Sequence, residues 1–254
     1  MFMKLNRILL ITALVPLTLP AQELKDAKKE TPEEQRIREY ILNNPEIVAR
    51  ALELYQLKAK VLESQQAQAA LMTQSAALFH DPKTPAAGAG EGGITIVEFF
   101  DYRCGYCKRV SPTVAKLLEA NPKVRIVYKD FPVLGPESEL AAKAALAAHM
   151  QGAYLKLHQA LLEYNGPINS ESIAVLASAG GLDAAKLKAD MESAEVRAAL
   201  EANQKLAAAI GVNATPAFVA GTELIPGALD QAGLEGLIDR ASAKPAAVAP
   251  AGGQ

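Results

Sequence analysis

The sequence predicts an α/β fold in which a short β-sheet is interrupted by a long helical insertion and preceded by an N-terminal α-helical arm. Three observations predict it. Ile94-Thr95-Ile96-Val97-Glu98-Phe99-Phe100 is a nearly continuous apolar, β-branched and aromatic run, which reads as a strand buried on both faces; Val110, Val114, Leu117 and Leu118 follow it at helical spacing. Val124-Arg125-Ile126-Val127-Tyr128 is a second strand, after which alanine and leucine become dense until strands resume at Ala217-Phe218-Val219-Ala220. Residues 31–78 contain no glycine and carry two helix start signals.

In chain order, residues 1–21 come first: Lys4 and Arg7, the apolar run Ile8 to Val15 and a small residue at Ala21 read as a secretory signal peptide. The apolar core is shorter than the roughly 20 residues of a membrane span. Leu19 stands where a small residue is usual before cleavage, so a retained membrane anchor is the alternative. Removing Lys4 and Arg7 takes the 26 basic residues to 24 against 28 acidic, a net charge of −4 rather than −2. Nothing in this balance points to nucleic acid.

Residues 22–79 form the arm. Thr31-Pro32-Glu33-Glu34 places an N-cap, a proline at N1 and a glutamate that completes a capping box, and Asn44-Pro45-Glu46 repeats the device, so two helices are expected, over about 32–42 and from Pro45 onward. In the second, Val48, Leu52, Tyr55, Ala59 and Leu62 step by four and three residues, widened by Ile47, Ala51, Leu54 and Val61. Such a stripe either packs on the chain's own core or joins copies of the chain through residues 31–79. Residues 80–93, with Pro82, Pro85, Gly88, Gly90, Gly92 and Gly93, read as a flexible linker, which leaves the arm in need of a partner.

Cys104 and Cys107 are the only two cysteines in 254 residues, separated by Gly105 and Tyr106 on the turn between the first strand and its helix. A bridge closing so short a loop gives little entropic stabilisation, which points to a pair that opens and closes. A helix N-terminus favours negative charge, and Arg103, Lys108 and Arg109 add to it, so a thiolate is favoured on Cys104. Cys104 is expected to be the exposed, attacking sulfur and Cys107 the resolving one. A zinc or copper site and a structural bridge are the alternatives. Closed zinc sites usually take four ligands, and His80, His149 and His158, the only histidines, lie at no ligand-like spacing from the cysteines. No metal and no cofactor is therefore expected, and His149 and His158 are read as packing residues.

After the second strand, helices are expected at Leu140–His149, Tyr154–Leu162, Glu171–Ala179, Ala184–Met191 and Ala194–Ile210, the insertion spanning about 136–210 with Gly211 as its last cap. Ala217–Ala220, Gly221-Thr222 and Glu223-Leu224-Ile225 form a hairpin. A helix from Gln231 to about Ala241 closes the domain that starts at residue 94, and residues 242–254 read as a disordered tail.

Glu98-Phe99-Phe100-Asp101-Tyr102 running into Cys104-Gly105-Tyr106-Cys107-Lys108-Arg109, with Val212-Asn213-Ala214-Thr215-Pro216-Ala217-Phe218 about a hundred residues later, resembles the DsbA family of thioredoxin-fold thiol-disulfide oxidoreductases. Ile41-Leu42-Asn43-Asn44-Pro45-Glu46 is further similar to the subgroup typified by suppressor of copper sensitivity protein C. The resemblance implies a thioredoxin-like fold with the helical domain inserted. It implies that Thr215-Pro216 is a cis-proline loop facing the cysteines, where an extended substrate chain pairs with the Thr215 backbone; a trans proline in an ordinary turn is the alternative. It also implies that Glu98 lies buried under Cys107 and relays its proton, against a solvated Glu98 on an edge strand. Strongly oxidising members carry proline and histidine where this chain has Gly105-Tyr106. A less stabilised Cys104 thiolate and a less oxidising disulfide follow.

The expected function is an exported, periplasmic thiol-disulfide oxidoreductase that acts on cysteines of other exported proteins and is reset by a membrane partner, a DsbD-like reductant or a DsbB-like oxidant. The arm and Thr215 lean it towards disulfide isomerase or reductase, with a DsbA-like oxidase as the alternative. From other classes, a Cu(I)-binding envelope protein holds the metal on both thiolates, and a holdase uses the arm and tail alone.

Overall fold

The computed structural model describes residues 30–90 and 93–243. The expected signal peptide at 1–21 and the tail beyond Ala243 lie outside the described residues. The chain divides into two compact units, 1–58 and 59–254, a boundary inside a helix rather than at residue 79.

In the first unit, α1 (Pro32–Asn43) starts on the expected capping box: the Glu34 N–H donates to the Thr31 hydroxyl at 3.2 Å, and the Thr31 N–H donates to the Glu34 carboxylate at 2.7 Å. Asn44 differs from expectation. Its amide donates back to the Tyr40 carbonyl at 2.7 Å, so it closes α1 instead of capping the next helix. The apolar side chains of α1 and of the start of α2 (Pro45–Thr73) are exposed, and α1 buries no residue.

In the second unit, α2 stops where the Thr73 hydroxyl donates to the Ala69 carbonyl at 2.9 Å, a back-bond that competes with the helix ladder. Gln74 leaves helical geometry at ψ 7° and a short α3 (Ser75–Phe79) follows, so the one helix expected to Leu78 is two. The expected linker at 80–93 is likewise corrected. It contains β1 (Ala86–Gly88), paired antiparallel with β3 (Val124–Asp130), Ala86 opposite Val127 and Gly88 opposite Arg125. Its glycine serves close approach rather than flexibility: Gly88 sits at φ +89°, and a Cβ there would lie 2.3 Å from the Val124 carbonyl oxygen. Side chains fasten the segment further. Arg125 donates to the Phe79 carbonyl at 2.8 Å, and buried Lys129 donates to the Thr84 hydroxyl at 2.7 Å.

The central strand is β2 (Ile94–Phe100), parallel to β3 on one side and antiparallel to β4 (Ala217–Ala220) on the other. A hairpin turn with Gly221 at φ +57° joins β4 to β5 (Glu223–Pro226), giving the sheet order β1-β3-β2-β4-β5. Period-two alternation splits the core. Ile96, Phe100, Ile126, Tyr128 and Phe218 face α4 (Gly105–Ala120) and the insertion, while Val97, Phe99, Val127 and Val219 face Leu71, Leu78, Leu206 and Ile210.

The insertion comprises α5 (Pro136–Met150), α6 (Tyr154–Glu163), α7 (Ser170–Ala179), α8 (Ala184–Asp190) and α9 (Ala194–Ala209). Asn169, Asp183 and Ser193 accept backbone N–H bonds at the starts of α7, α8 and α9. Six buried alanines of α5, among them Ala141, Ala144 and Ala148, let neighbouring helices approach on nearly every side. The last helix, α10 (Gln231–Ala243), runs two residues into the expected tail.

Candidate active site

The strand-to-helix turn after β2 carries the two cysteines, and the reason is local. Cys104 is the N-cap of α4 in extended geometry, with φ −74° and ψ 113°, so its side chain stands beside N–H groups that have no partner in the helix. Cys107 lies one turn inside on the buried face with Val110, Val114 and Leu117. The expected exposure of Cys104 is corrected: it is 6% exposed and Cys107 1%. The cover over Cys104 comes from a distant loop, where the Thr215 carbonyl accepts a hydrogen bond from the Cys104 thiol at 3.3 Å. The Thr215–Pro216 peptide bond is cis, and the Pro216 carbonyl accepts from the Gly227 N–H at 2.8 Å. Tyr106, next to Gly105 between the cysteines, is 60% exposed, with the Arg109 guanidinium 4.2 Å from its ring centroid.

Glu98 sits in the middle of the central strand, opposite Tyr128 on β3 and Phe218 on β4, and is 4% exposed. It is not a solvated acid on an edge. Burial pushes its carboxyl up to about 8, so the acid is largely protonated at neutral pH. Burial also pushes the Cys107 thiol well up, with the neighbouring Cys104 and Glu98 adding to the effect and the Asp101 backbone opposing it. A buried thiol beside a protonated acid can become a thiolate only as a proton moves. The turn thus brings together Cys104, Cys107, Glu98, Thr215 and Pro216.

The sequence reading gave no chemical role to a set of buried polar groups beside this site. Asp101 is 1% exposed and fully hydrogen-bonded. Asp130 accepts from the Tyr154 hydroxyl at 2.9 Å, its other carboxyl oxygen is unpartnered, and burial pushes it up to about 7. His158 stacks on Tyr154 and its Nδ1 lies 3.0 Å from the Tyr102 hydroxyl; burial pushes the imidazole down to about 3. That is the packing role expected for His158. The available signal was Lys129-Asp130, two charged residues that end the buried strand β3 and that the sequence reading, stopping the strand at Tyr128, left outside it. Among the described residues, no group of three or more His, Cys, Asp and Glu side chains is arranged to hold a metal ion.

The family model of the DSBA-like thioredoxin domain matches residues 95–239. A thioredoxin-like oxidoreductase from Silicibacter pomeroyi DSS-3 is 43% identical, with a TM-score of 0.65 over 67% of this chain and 98% of that one. The catalytic domain of Proteus mirabilis ScsC is 31% identical, with a TM-score of 0.64 over 70% and 99%. A periplasmic thioredoxin-like protein from Salmonella enterica serovar Typhimurium is 33% identical, with a TM-score of 0.57 over 67% and 96%. Curated relatives include the Na(+)/H(+) antiporter NhaA 1 of Salinispora arenicola, 36% identical over 83 residues, and the chain spans only 13–23% of the length of these antiporters. No described helix is long and apolar enough to cross a membrane. With a sheet, an inserted helical domain and a cysteine turn of this kind, and with the family model matching more than half its length, the chain belongs to the DSBA-like thioredoxin family, among ScsC-like and DsbA-like thiol-disulfide proteins.

Proposed function

We propose that this chain exchanges disulfides with cysteines of exported client proteins through Cys104 and Cys107. The observation that carries the reading is the Cys104 thiol at the start of α4, 3.3 Å from the Thr215 carbonyl, with Cys107 buried one turn behind it. In the oxidising direction a client thiolate attacks Cys104 Sγ of the Cys104–Cys107 disulfide, and the Cys107 sulfur leaves with the electron pair. Glu98 protonates that sulfur. A second client thiolate then attacks the mixed disulfide, the client leaves oxidised, and Cys104 leaves as a thiolate. Two electrons have passed from client to protein. The reducing direction is the reverse, and isomerisation is one attack in each direction with no net transfer.

Thr215 supports client binding, because its carbonyl beside Cys104 offers an extended client segment a backbone partner. Gly105-Tyr106 supplies no histidine to the thiolate, which supports a less oxidising couple than one with proline-histidine there. The exposed apolar residues of α1 and α2 support self-association through residues 31–79, and paired active sites lean the function towards isomerase or reductase. Export rests on residues 1–21, outside the described residues, and is in keeping with the periplasmic relative. The dithiol form is then restored by a DsbD-like membrane reductant; a resting disulfide instead requires a DsbB-like oxidant.

The test is reactivation of scrambled ribonuclease by the reduced protein, with resting redox state trapped by acid quench and alkylation in exporting cells. Reactivation that Cys104→Ser abolishes, with a resting dithiol, is the expected result. A resting disulfide with no reactivation moves the function to oxidase, and activity independent of Cys104 overturns the reading.

A further inference from the structure

Asp101 immediately follows β2, and its carboxylate is enclosed on all sides by donors. One oxygen accepts from the Arg103 N–H and the Ser138 hydroxyl, both at 2.7 Å; the other accepts from the Val133 N–H at 2.8 Å and the Leu134 N–H at 3.1 Å. None of the four donors is a cation. A carboxylate at 1% exposure is costly unless its lone pairs are satisfied, and a carboxylate has about four such sites. Here four donors occupy them.

Those donors come from two separate pieces of backbone. Arg103 belongs to the cysteine turn, while Val133, Leu134 and Ser138 belong to the loop after β3 and the first turn of α5. The Asp101 carbonyl also accepts from the Cys104 N–H at 3.1 Å, and its backbone faces the Cys107 thiol. A second tie, Arg103 to Glu137 at 2.7 Å, joins the same two segments from the surface, where it is worth little by itself. The buried carboxylate is therefore the main brace between the turn that carries both cysteines and the loop beside it. Asparagine of the same shape supplies one acceptor oxygen and turns an NH2 against two N–H donors.

We propose that Asp101 is the positioning residue of the cysteine turn, holding Cys104 at the height at which its sulfur reaches the Thr215 carbonyl and a client. This rests on the exchange reading of Cys104. Misplacement of a reacting group by about 1 Å costs up to about 100-fold in rate.

The test is the second-order rate of reduced protein with glutathione disulfide, well below the unfolding temperature and normalised to folded protein by circular dichroism. Asp101→Asn is expected to slow it by roughly 10-fold or more, and Ser138→Ala, which removes one donor of four, by about 3-fold. Amide hydrogen exchange of Val133 and Leu134 is expected to quicken in Asp101→Asn while β2 amides stay protected. Lowered thermal stability with unchanged rates per folded molecule overturns the proposal. If Asp101→Asn does not fold, Ser138→Ala decides, and an unchanged rate there overturns it too. A wild-type protein that reacts no faster than a free thiol overturns the exchange reading itself, a different failure.

Discussion

The arm and the thioredoxin body use apolar and ionisable residues in opposite ways. In α1 and the first turns of α2, Leu42, Leu52 and Tyr55 are 71%, 54% and 70% exposed, so the amphipathic face has no partner among the described residues of its own unit. In the body, Leu157, Leu161 and Phe218 are wholly buried, and the core also takes in Glu98, Asp130 and Lys129. The exposed apolar stripe supports the self-association proposed for this arm. Buried ionisable groups in the other are a standing cost; Glu98 lies beside the Cys107 thiol, where a perturbed group is of use, while Lys129 fastens Thr84 and Asp81 ahead of the sheet.

The largest expected effect sharpens the body's side of that contrast. The Glu98 carboxyl titrates at about 8 folded and near 4.5 unfolded. Between those values the unfolded chain has released the proton that the folded chain keeps. The stability this group contributes is thus full below pH 4.5 and is lost as pH rises to about 8, by up to about 5 kcal/mol. Glu98→Gln is expected to flatten this part of the pH dependence. Urea unfolding of both proteins at pH 5 and pH 8 gives the double difference, which cancels the parallel contribution of Asp130; parallel curves break the assignment.

Next in size is the core itself. Leu157→Ala removes a fully buried α6 side chain from the core cluster that the insertion shares with the sheet, and a loss of about 2–5 kcal/mol is expected in denaturant unfolding. A loss below about 1 kcal/mol would mean that the insertion is not part of one core with the sheet.

The smallest effect belongs to the arm. Leu52→Glu with Tyr55→Glu is expected to change unfolding of the body by no more than about 0.5 kcal/mol, because neither side chain is buried there. The same pair is expected to abolish self-association in analytical ultracentrifugation. An unchanged sedimentation coefficient breaks the reading of the stripe as an interface.

Much of this was legible because the signals were local. β2 and its helix follow from one apolar run and one 3.6-residue period, the hairpin from Gly221, and the start of α1 from Thr31 and Glu34. What stayed hidden depends on distant partners. β1 is three residues of small side chains whose pairing is carried by backbone and by the close approach at Gly88, so no periodicity marks it. Asn44 has the composition of an N-cap, yet its amide finds a nearer acceptor behind it. Cys104 is buried by a loop 111 residues away. Asp101 stood in the motif that carried the family resemblance, but its role becomes visible only once Val133, Leu134 and Ser138 surround it.

The most direct test of the central claim is mixed-disulfide trapping in exporting cells with Cys107→Ser and, separately, Cys104→Ser. With Cys104 at the Thr215 carbonyl and Cys107 buried behind it, Cys107→Ser is expected to accumulate reducible complexes with client proteins, while Cys104→Ser accumulates none. Equal trapping by both variants, or trapping by Cys104→Ser alone, would contradict the assignment of Cys104 as the sulfur that meets the client.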